Sequence, residues 1–529
     1  MDVTQQPLPA LQPLTWSDAA YLAPEWILIV FTIVLVIIDL AMPRQTSRAV
    51  IGWLTLAGLL TSLGFVIWRL IDLVNHPLSA NANGEPTGGA IRLLADSYRI
   101  DQFSSLLKIV FLVATVLIVL LSLGTVKRAE IPDKGEFYYL LLPAVVGAMM
   151  MASSGDLITL YLGLELLSIT TYVLVGIRKH AVQSAEAAFK YVVTGGISSA
   201  LILFGMSYLY GITGATNLGA IAIGVQQHAA DFKELLYIAF FFIIAGLGIK
   251  IAAAPFHLWA PDVYQGAPTP ITAFLAVVSK GAALAVVFRI VYNVVIFANT
   301  PDAPIADDML LVLLIMAAAA MIVGSTAALR QVNLKRLMAL SGVANAGYLL
   351  VPLGISFKGY HTSNFSEFLF YLAVYMLMNI GAFAVITVVS KASGNDELNG
   401  FAGLYYRAPW TAAAMIVFVL SLAGLPVTGG FFGKLFILLG AAQSQAYWIV
   451  AVMVATSAIS YYFYFGIVRQ MFMRSATQDT EVPVPVTTGV VIWLSAVLTV
   501  ALGIVPGPVL GWINEHFSVV NDLFTRIGS

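Results

Sequence analysis

Apolar runs of about 20 residues recur along this chain from residue 22 to residue 513, each long enough to cross a bilayer as a helix. A helix satisfies its own backbone hydrogen bonds where water is absent, so runs of this length dictate an all-α polytopic membrane protein. The length criterion places about 14 transmembrane helices, at 22–41, 50–74, 101–125, 136–153, 156–177, 184–212, 234–260, 269–297, 307–328, 333–356, 365–391, 408–442, 446–472 and 484–513. Hydrophobic residues make up 60% of the 529 and charged residues only 10%, a balance that leaves no room for a soluble domain between the spans. Residues 1–21 are polar and lack the basic start and cleavage site of a signal peptide, so they are read as an extramembrane tail. The connection 75–100, with NANGEPTGG inside it, is turn-rich, polar and too short to be a domain.

Counting basic residues in the connections orients the chain. Arg44, Arg48, Lys127, Arg128, Lys134, Arg178, Lys179, Arg330, Lys335, Arg336, Lys391, Arg407, Arg469 and Arg474 fall on one side. Only Arg92, Arg99, Lys233, Lys358 and Arg526 fall on the other. The positive-inside rule makes the first side cytoplasmic, with both termini outward. The basic residues form no stripe and the net charge is -1, which gives nucleic acid nothing to bind. Cysteine is absent, which removes disulfides, iron–sulfur clusters and thiolate metal sites together. The histidines, at 76, 180, 228, 257, 361 and 516, sit in connections or in a helix break, so none ligates a haem in mid-span and no redox centre or bound cofactor is expected in this chain.

Two spans are interrupted. The seventh breaks at Pro255 just after Lys250, and the twelfth breaks in GLPVTGGFFGK, residues 424 to 434, which ends on Lys434. The twelfth span comes five after the seventh, an odd offset, so the two broken helices run in opposite directions. Paired Gly/Pro-interrupted segments in corresponding places mark inverted-repeat transporters. Three leading helices at 22–125, a first five-helix repeat at 136–297, an inverted second repeat at 307–472 and a last helix at 484–513 follow from that pattern.

Ionisable groups inside spans are costly and usually functional. Glu165 lies near the middle of the fifth span in LYLGLELLS and needs a cation from another helix or a proton. Lys190 follows Glu186 at i+4, the favourable order for a helical pair, although its place a turn or two inside the sixth span also lets it snorkel to water. Lys280 lies eleven residues into the eighth span, roughly 16 Å along the helix, out of reach of either surface. Lys434 has the same character but is read as lying nearer the outer end of its span. Desolvation weakens a lysine's hold on its proton and a nearby carboxylate restores it, so moving the acid relative to the base switches proton affinity. His257 and Asp262, five apart and with no third ligand nearby, point to a proton relay at the cytoplasmic mouth or to hydrogen bonding of the break rather than to metal. Trp259, Tyr264 and the run Tyr461, Tyr462, Phe463, Tyr464 are read as interfacial or packing aromatics. Lys108 and Arg289 have no partner that the sequence reveals.

KIAAAPFHLWAPDVYQGAPTPITAFLAVVSK, LYLGLELLSITTYVLVG, AEAAFKYVVTGG, NLKRLMALSGVANAGYLL and SLAGLPVTGGFFGKLFIL occur here in order. Together they resemble the antiporter-like membrane subunits of NADH-quinone oxidoreductase, respiratory complex I, across residues 100 to 475. YLAVYMLMNIGAFAVI and a lysine at 434 are similar to subunit N within that family. The resemblance implies a subunit that helps move protons when quinone is reduced elsewhere, in a complex that uses NADH and carries flavin and iron–sulfur clusters in other subunits. It implies neighbouring membrane subunits on both sides, a lipid bilayer and a place in the cell's inner (plasma) membrane or in an organellar equivalent. Carried over by motif, Glu165 pairs with Lys250, Lys280 connects, Lys434 lies on the exit side and Lys190 is secondary. Where many members have SSxxH in the tenth span, this chain has Ser341, Gly342 and Asn345, and asparagine cannot load a proton. The same motifs occur in subunits of Mrp-type sodium/proton antiporters, the alternative reading.

Overall fold

Thirteen helices among the described residues are long and apolar enough to span a membrane, and the twelfth span is made of two shorter apolar helices, Pro409–Ala423 and Gly429–Gln443. The structure is a computed structural model that describes residues 16–43, 46–76, 79–80, 86–87, 89–127, 129–132, 134–300, 304–355, 363–475 and 481–517. The tail before Trp16, parts of the 75–100 connection, and Arg44, Arg128, Lys358, His361 and Arg526 lie outside the described residues.

The polar residues just before several spans start them by capping. Asp101 accepts from the Ser104 N–H while the Ser104 hydroxyl accepts from the Asp101 N–H, a capping box that opens Gln102–Thr125. Asp156 caps Leu157–Val175 through the Ile158 N–H, and Asn333 caps Leu334–Gly354 through the Arg336 N–H. The end of the tail is itself helical, at Trp16–Tyr21, and the 75–100 connection holds two small antiparallel ladders, Ser79–Ala80 with Pro86–Thr87 and Ile91–Leu93 with Tyr98–Ile100. A further helix, Leu218–His228, lies between the sixth and seventh spans, where the sequence reading had only a connection. The last span is shorter than expected: Val486–Ile504 stops before Pro506, which opens a separate helix, Pro506–His516.

The internal repeat is visible in matching backbone details. Lys233–Ile251 ends with Ala252 in the left-handed region (φ 59°), and the Ala253 N–H reaches back to the Gly248 carbonyl at 2.9 Å. Pro409–Ala423 ends with Gly424 at φ 84°, and the Leu425 N–H reaches back to the Leu420 carbonyl at 3.0 Å. Both half-helices thus stop by the same closure, which satisfies their last carbonyls at a break inside the bundle. Helix pairs also match. A side chain at Gly147 in the fourth span would meet the Leu167 backbone of the fifth at 2.6 Å, and one at Gly324 in the ninth would meet the Ala344 backbone of the tenth at 2.5 Å. Without a hydrophobic drive between helices in lipid, such close backbone approach supplies the packing that holds each pair.

Burial is graded across the bundle. Thr269–Phe297, Leu334–Gly354 and Asn364–Ser393 are buried almost throughout, whereas Ala23–Ala41 and Tyr447–Met473 present long apolar faces outward. Lys280, Asn345 and Tyr375 therefore lie on the three central helices.

Candidate functional site

At the first break, Lys250 occupies the last turn of Lys233–Ile251. Its Nζ donates to Ser168 Oγ at 2.8 Å, to Tyr172 Oη at 3.3 Å and to the Gly195 carbonyl at 3.5 Å. The expected Glu165–Lys250 ion pair is not formed in this state. Lys250 is instead hydrogen-bonded to Ser168, one turn beyond Glu165 on the same helix, while Glu165 Oε1 is buried with no hydrogen-bond partner among the described residues. The carboxylate stays within electrostatic reach of the ammonium.

Lys280 follows a short π-helical stretch, Leu275–Ser279, a widening of the kind often found at functional sites. Its side chain is 2% exposed, donates to the Gly342 carbonyl at 2.5 Å and lies 5.8 Å from the Tyr375 ring centre. It forms no ion pair among the described residues.

Lys434 is 8% exposed and turns back to the end of the preceding half-helix. Its Nζ donates to the Leu422 carbonyl at 2.7 Å and the Ala423 carbonyl at 3.5 Å, and lies 4.8 Å from the Tyr348 ring centre. The carbonyl end of a helix is its negative pole, so the twelfth span's first half stabilises this cation without a carboxylate.

Around the tenth span, which touches both Lys280 and Lys434, lie two buried hydrogen-bonded groups. Ser341 Oγ and Tyr464 Oη are 2.5 Å apart, Asn345 Nδ2 donates to the Ser341 carbonyl at 2.8 Å, and Tyr371 Oη donates to Asn345 Oδ1. Tyr348 Oη meets Ser457 Oγ at 2.8 Å and Thr456 Oγ1 at 3.0 Å. Tyr464, read from sequence as a packing aromatic, is thus part of a hydrogen-bonded chain. Tyr462, two residues away, faces outward. Trp259 and Tyr264 are buried rather than interfacial: Trp259 stacks on Tyr191 and donates to the Ile249 carbonyl across the break.

Lys190 makes the expected pair and one more. It pairs with Glu186 at 2.7 Å and with Asp262 at 2.6 Å, while the other Asp262 oxygen takes Arg336 at 2.5 Å. Asp262 therefore ties the sixth span of the first repeat to the tenth span of the second. His257 is buried, its Nδ1 has no hydrogen-bond partner among the described residues, and Asp262 bonds Lys190 and Arg336 instead.

Lys108 and Arg289 gain partners in a separate ionic cluster. Lys108 Nζ lies 2.8 Å from Glu25 and donates to Tyr98 Oη at 2.8 Å, and Arg69 lies 4.0 Å from Glu25. Arg289 pairs with Asp101 at 2.5 Å and donates to the Ala152 carbonyl at 3.0 Å.

A family model described as NADH:quinone oxidoreductase/Mrp antiporter, transmembrane, matches residues 154–460. The NADH-quinone oxidoreductase subunit N of Paenibacillus sp. (strain JDR-2) is 61% identical over 517 residues, which cover 97% of this chain and 99% of the relative. A chain of respiratory complex I from Thermus thermophilus with bound aureothin has a TM-score of 0.73 at 31% identity, over 92% of this chain and 98% of that one. A chain of the Mrp complex from Dietzia sp. DQ12-45-1b has a TM-score of 0.77 at 20% identity, over 96% and 98%, a likeness of fold. With the family model matching more than half of the chain and a subunit N relative aligned nearly end to end, this chain belongs to the subunit N family of NADH-quinone oxidoreductase.

Proposed function

We propose that this chain is a proton-translocating membrane subunit of a NADH-quinone oxidoreductase, coupling quinone reduction in other subunits to proton transfer through Glu165, Lys250, Lys280 and Lys434. The observation that carries the reading is the placement of three lysines at mid-bundle, each held by carbonyls or hydroxyls with no carboxylate bonded to it among the described residues. A purely structural lysine in hydrocarbon would be paired with an acid, as Lys108 is with Glu25.

In this mechanism a redox-linked change reaching the fifth span swings Glu165 toward or away from Lys250. An approaching carboxylate strengthens the ammonium's hold on its proton and a receding one weakens it. The proton released by Lys250 passes through Lys280 to Lys434 by way of water, since the three lie on different helices. Lys190 and His257 act at the cytoplasmic mouth, where Lys190 sets the position of the second half of the break through Asp262. The partners are other membrane subunits on both sides in the plane of the plasma membrane, with flavin and iron–sulfur clusters carried by subunits outside this chain. The likeness to the Mrp chain is one of fold and favours no second reading.

Replacing Lys250 by Met is expected to lower NADH-driven proton uptake into inverted membrane vesicles while the complex still assembles. Full uptake by an assembled Lys250→Met complex would refute the role given to Lys250.

A further inference from the structure

Glu165, Ser168 and Tyr172 stand at i, i+3 and i+7 of the fifth span, so they share one face of it. Lys250 has taken the second and third of these and left the first. A fit between helices keeps it there. A side chain at Gly195 would begin 2.6 Å from Tyr172 Cζ and closer still to its hydroxyl, so a glycine is what lets that hydroxyl lie against the sixth span. Tyr191 stands one turn before Gly195 on the same span and meets the Tyr172 ring edge-on, with ring centres 4.8 Å apart. Tyr191 in turn stacks on Trp259 at 4.9 Å, and Trp259 donates at 2.9 Å to the carbonyl of Ile249, the residue before Lys250. The backbone beside the lysine and its ammonium are thus held by the two ends of one aromatic stack.

We propose that Tyr172, seated in the space that Gly195 leaves, is a positioning residue that parks Lys250 one turn away from Glu165 and so sets the balance between the open and the paired state of that couple. The inference rests on the proton-transfer reading above. A lysine ammonium has three N–H groups, and the parking site answers them with a serine hydroxyl, a tyrosine hydroxyl and the Gly195 carbonyl. Pairing with Glu165 therefore gives up hydrogen bonds already made. Removing one hydrogen bond to a charged group shifts such a balance by about tenfold. Tyr172 moves no proton itself and acts only through where it holds the ammonium.

The test uses the whole complex in inverted vesicles, with assembly checked on a native gel. The probe is dicyclohexylcarbodiimide, an apolar reagent that attacks a buried carboxylic acid and spares a carboxylate held by an ammonium. Its adduct on Glu165 is read by mass spectrometry, beside proton uptake per NADH oxidised. Tyr172→Phe keeps the ring and its packing but loses the hydroxyl, and Gly195→Ala pushes the hydroxyl off its seat. The expected result in both is a several-fold loss of labelling at Glu165 together with lower uptake, because Lys250 then closes on the acid. In a Lys250→Met background, Tyr172→Phe should leave the labelling unchanged. A merely structural role would loosen the packing and raise labelling. Labelling that is unchanged or raised in an assembled Tyr172→Phe complex, alongside reduced uptake in Lys250→Met, would overturn this inference and leave the proton role of Lys250 standing. So would a Glu165 that stays unlabelled in the unaltered complex. Normal uptake in Lys250→Met would overturn the reading on which the inference rests.

Discussion

Buried lysines among the described residues either face a carboxylate or are held by carbonyls and hydroxyls alone, and the proposed proton path uses the second kind. Lys108 is fully buried against Glu25 and Tyr98, with Arg69 close by, so its charge is answered on the spot. Replacing Glu25 by Leu leaves two buried cations without their acid and is expected to cost about 3–5 kcal/mol. That loss would be read as a lower thermal midpoint of the purified complex or less subunit in the membrane. Glu25→Leu with Lys108→Met should recover part of it, and an unchanged midpoint in the single variant would show that the cluster does not hold these helices. Lys250, Lys280 and Lys434 were legible from the sequence because a lysine in an apolar run stands out. The partners of Lys108 and Arg289 were not, because Glu25 and Asp101 lie far off in sequence and meet them only through helix packing. Tyr464 was read as packing for the same reason: a tyrosine in an aromatic run carries no sign that Ser341 lies opposite its hydroxyl.

Among elements, the breaks organise the site. Pro and Gly make them legible in sequence, and each half-helix closes on itself next to a lysine, just after Lys250 in the seventh span and ahead of Lys434 in the twelfth. The short helix Leu218–His228 and the paired strands near Tyr98 escaped notice because a span criterion is blind to elements shorter than the bilayer. What the sequence hid altogether is the tie at Asp262, whose two oxygens take cations from the sixth and tenth spans. These groups are about one-third exposed, so Asp262→Asn is expected to cost under about 1 kcal/mol of stability. Its effect should show instead as faster hydrogen exchange across Trp259–Gly266, the second half of the break. Exchange as slow as in the unaltered protein would mean that packing alone, without Asp262, holds that helix in place.

At the scale of the whole molecule, the polar groups lie where the central helices meet the inner face of the thirteenth span, Tyr447–Met473, and the outer helices face outward with apolar surface. The expectation of an all-α bundle with two inverted repeats rests on span lengths and the odd offset from the seventh span to the twelfth, both robust to errors of a few residues at helix ends. The state of the Glu165–Lys250 pair was not readable, because a sequence names the partners and not which conformation brings them together. As a subunit N, the chain is expected to migrate in one large NADH-oxidising band on a native gel of gently solubilised membranes. A smaller band without redox activity would place it in another assembly. The most direct test of the central claim is the proton-to-NADH ratio of inverted vesicles carrying Lys250→Met, Lys280→Met and Lys434→Met together, in a complex shown to be assembled. The account predicts a lower ratio than in the unaltered complex, and an unchanged ratio would contradict it.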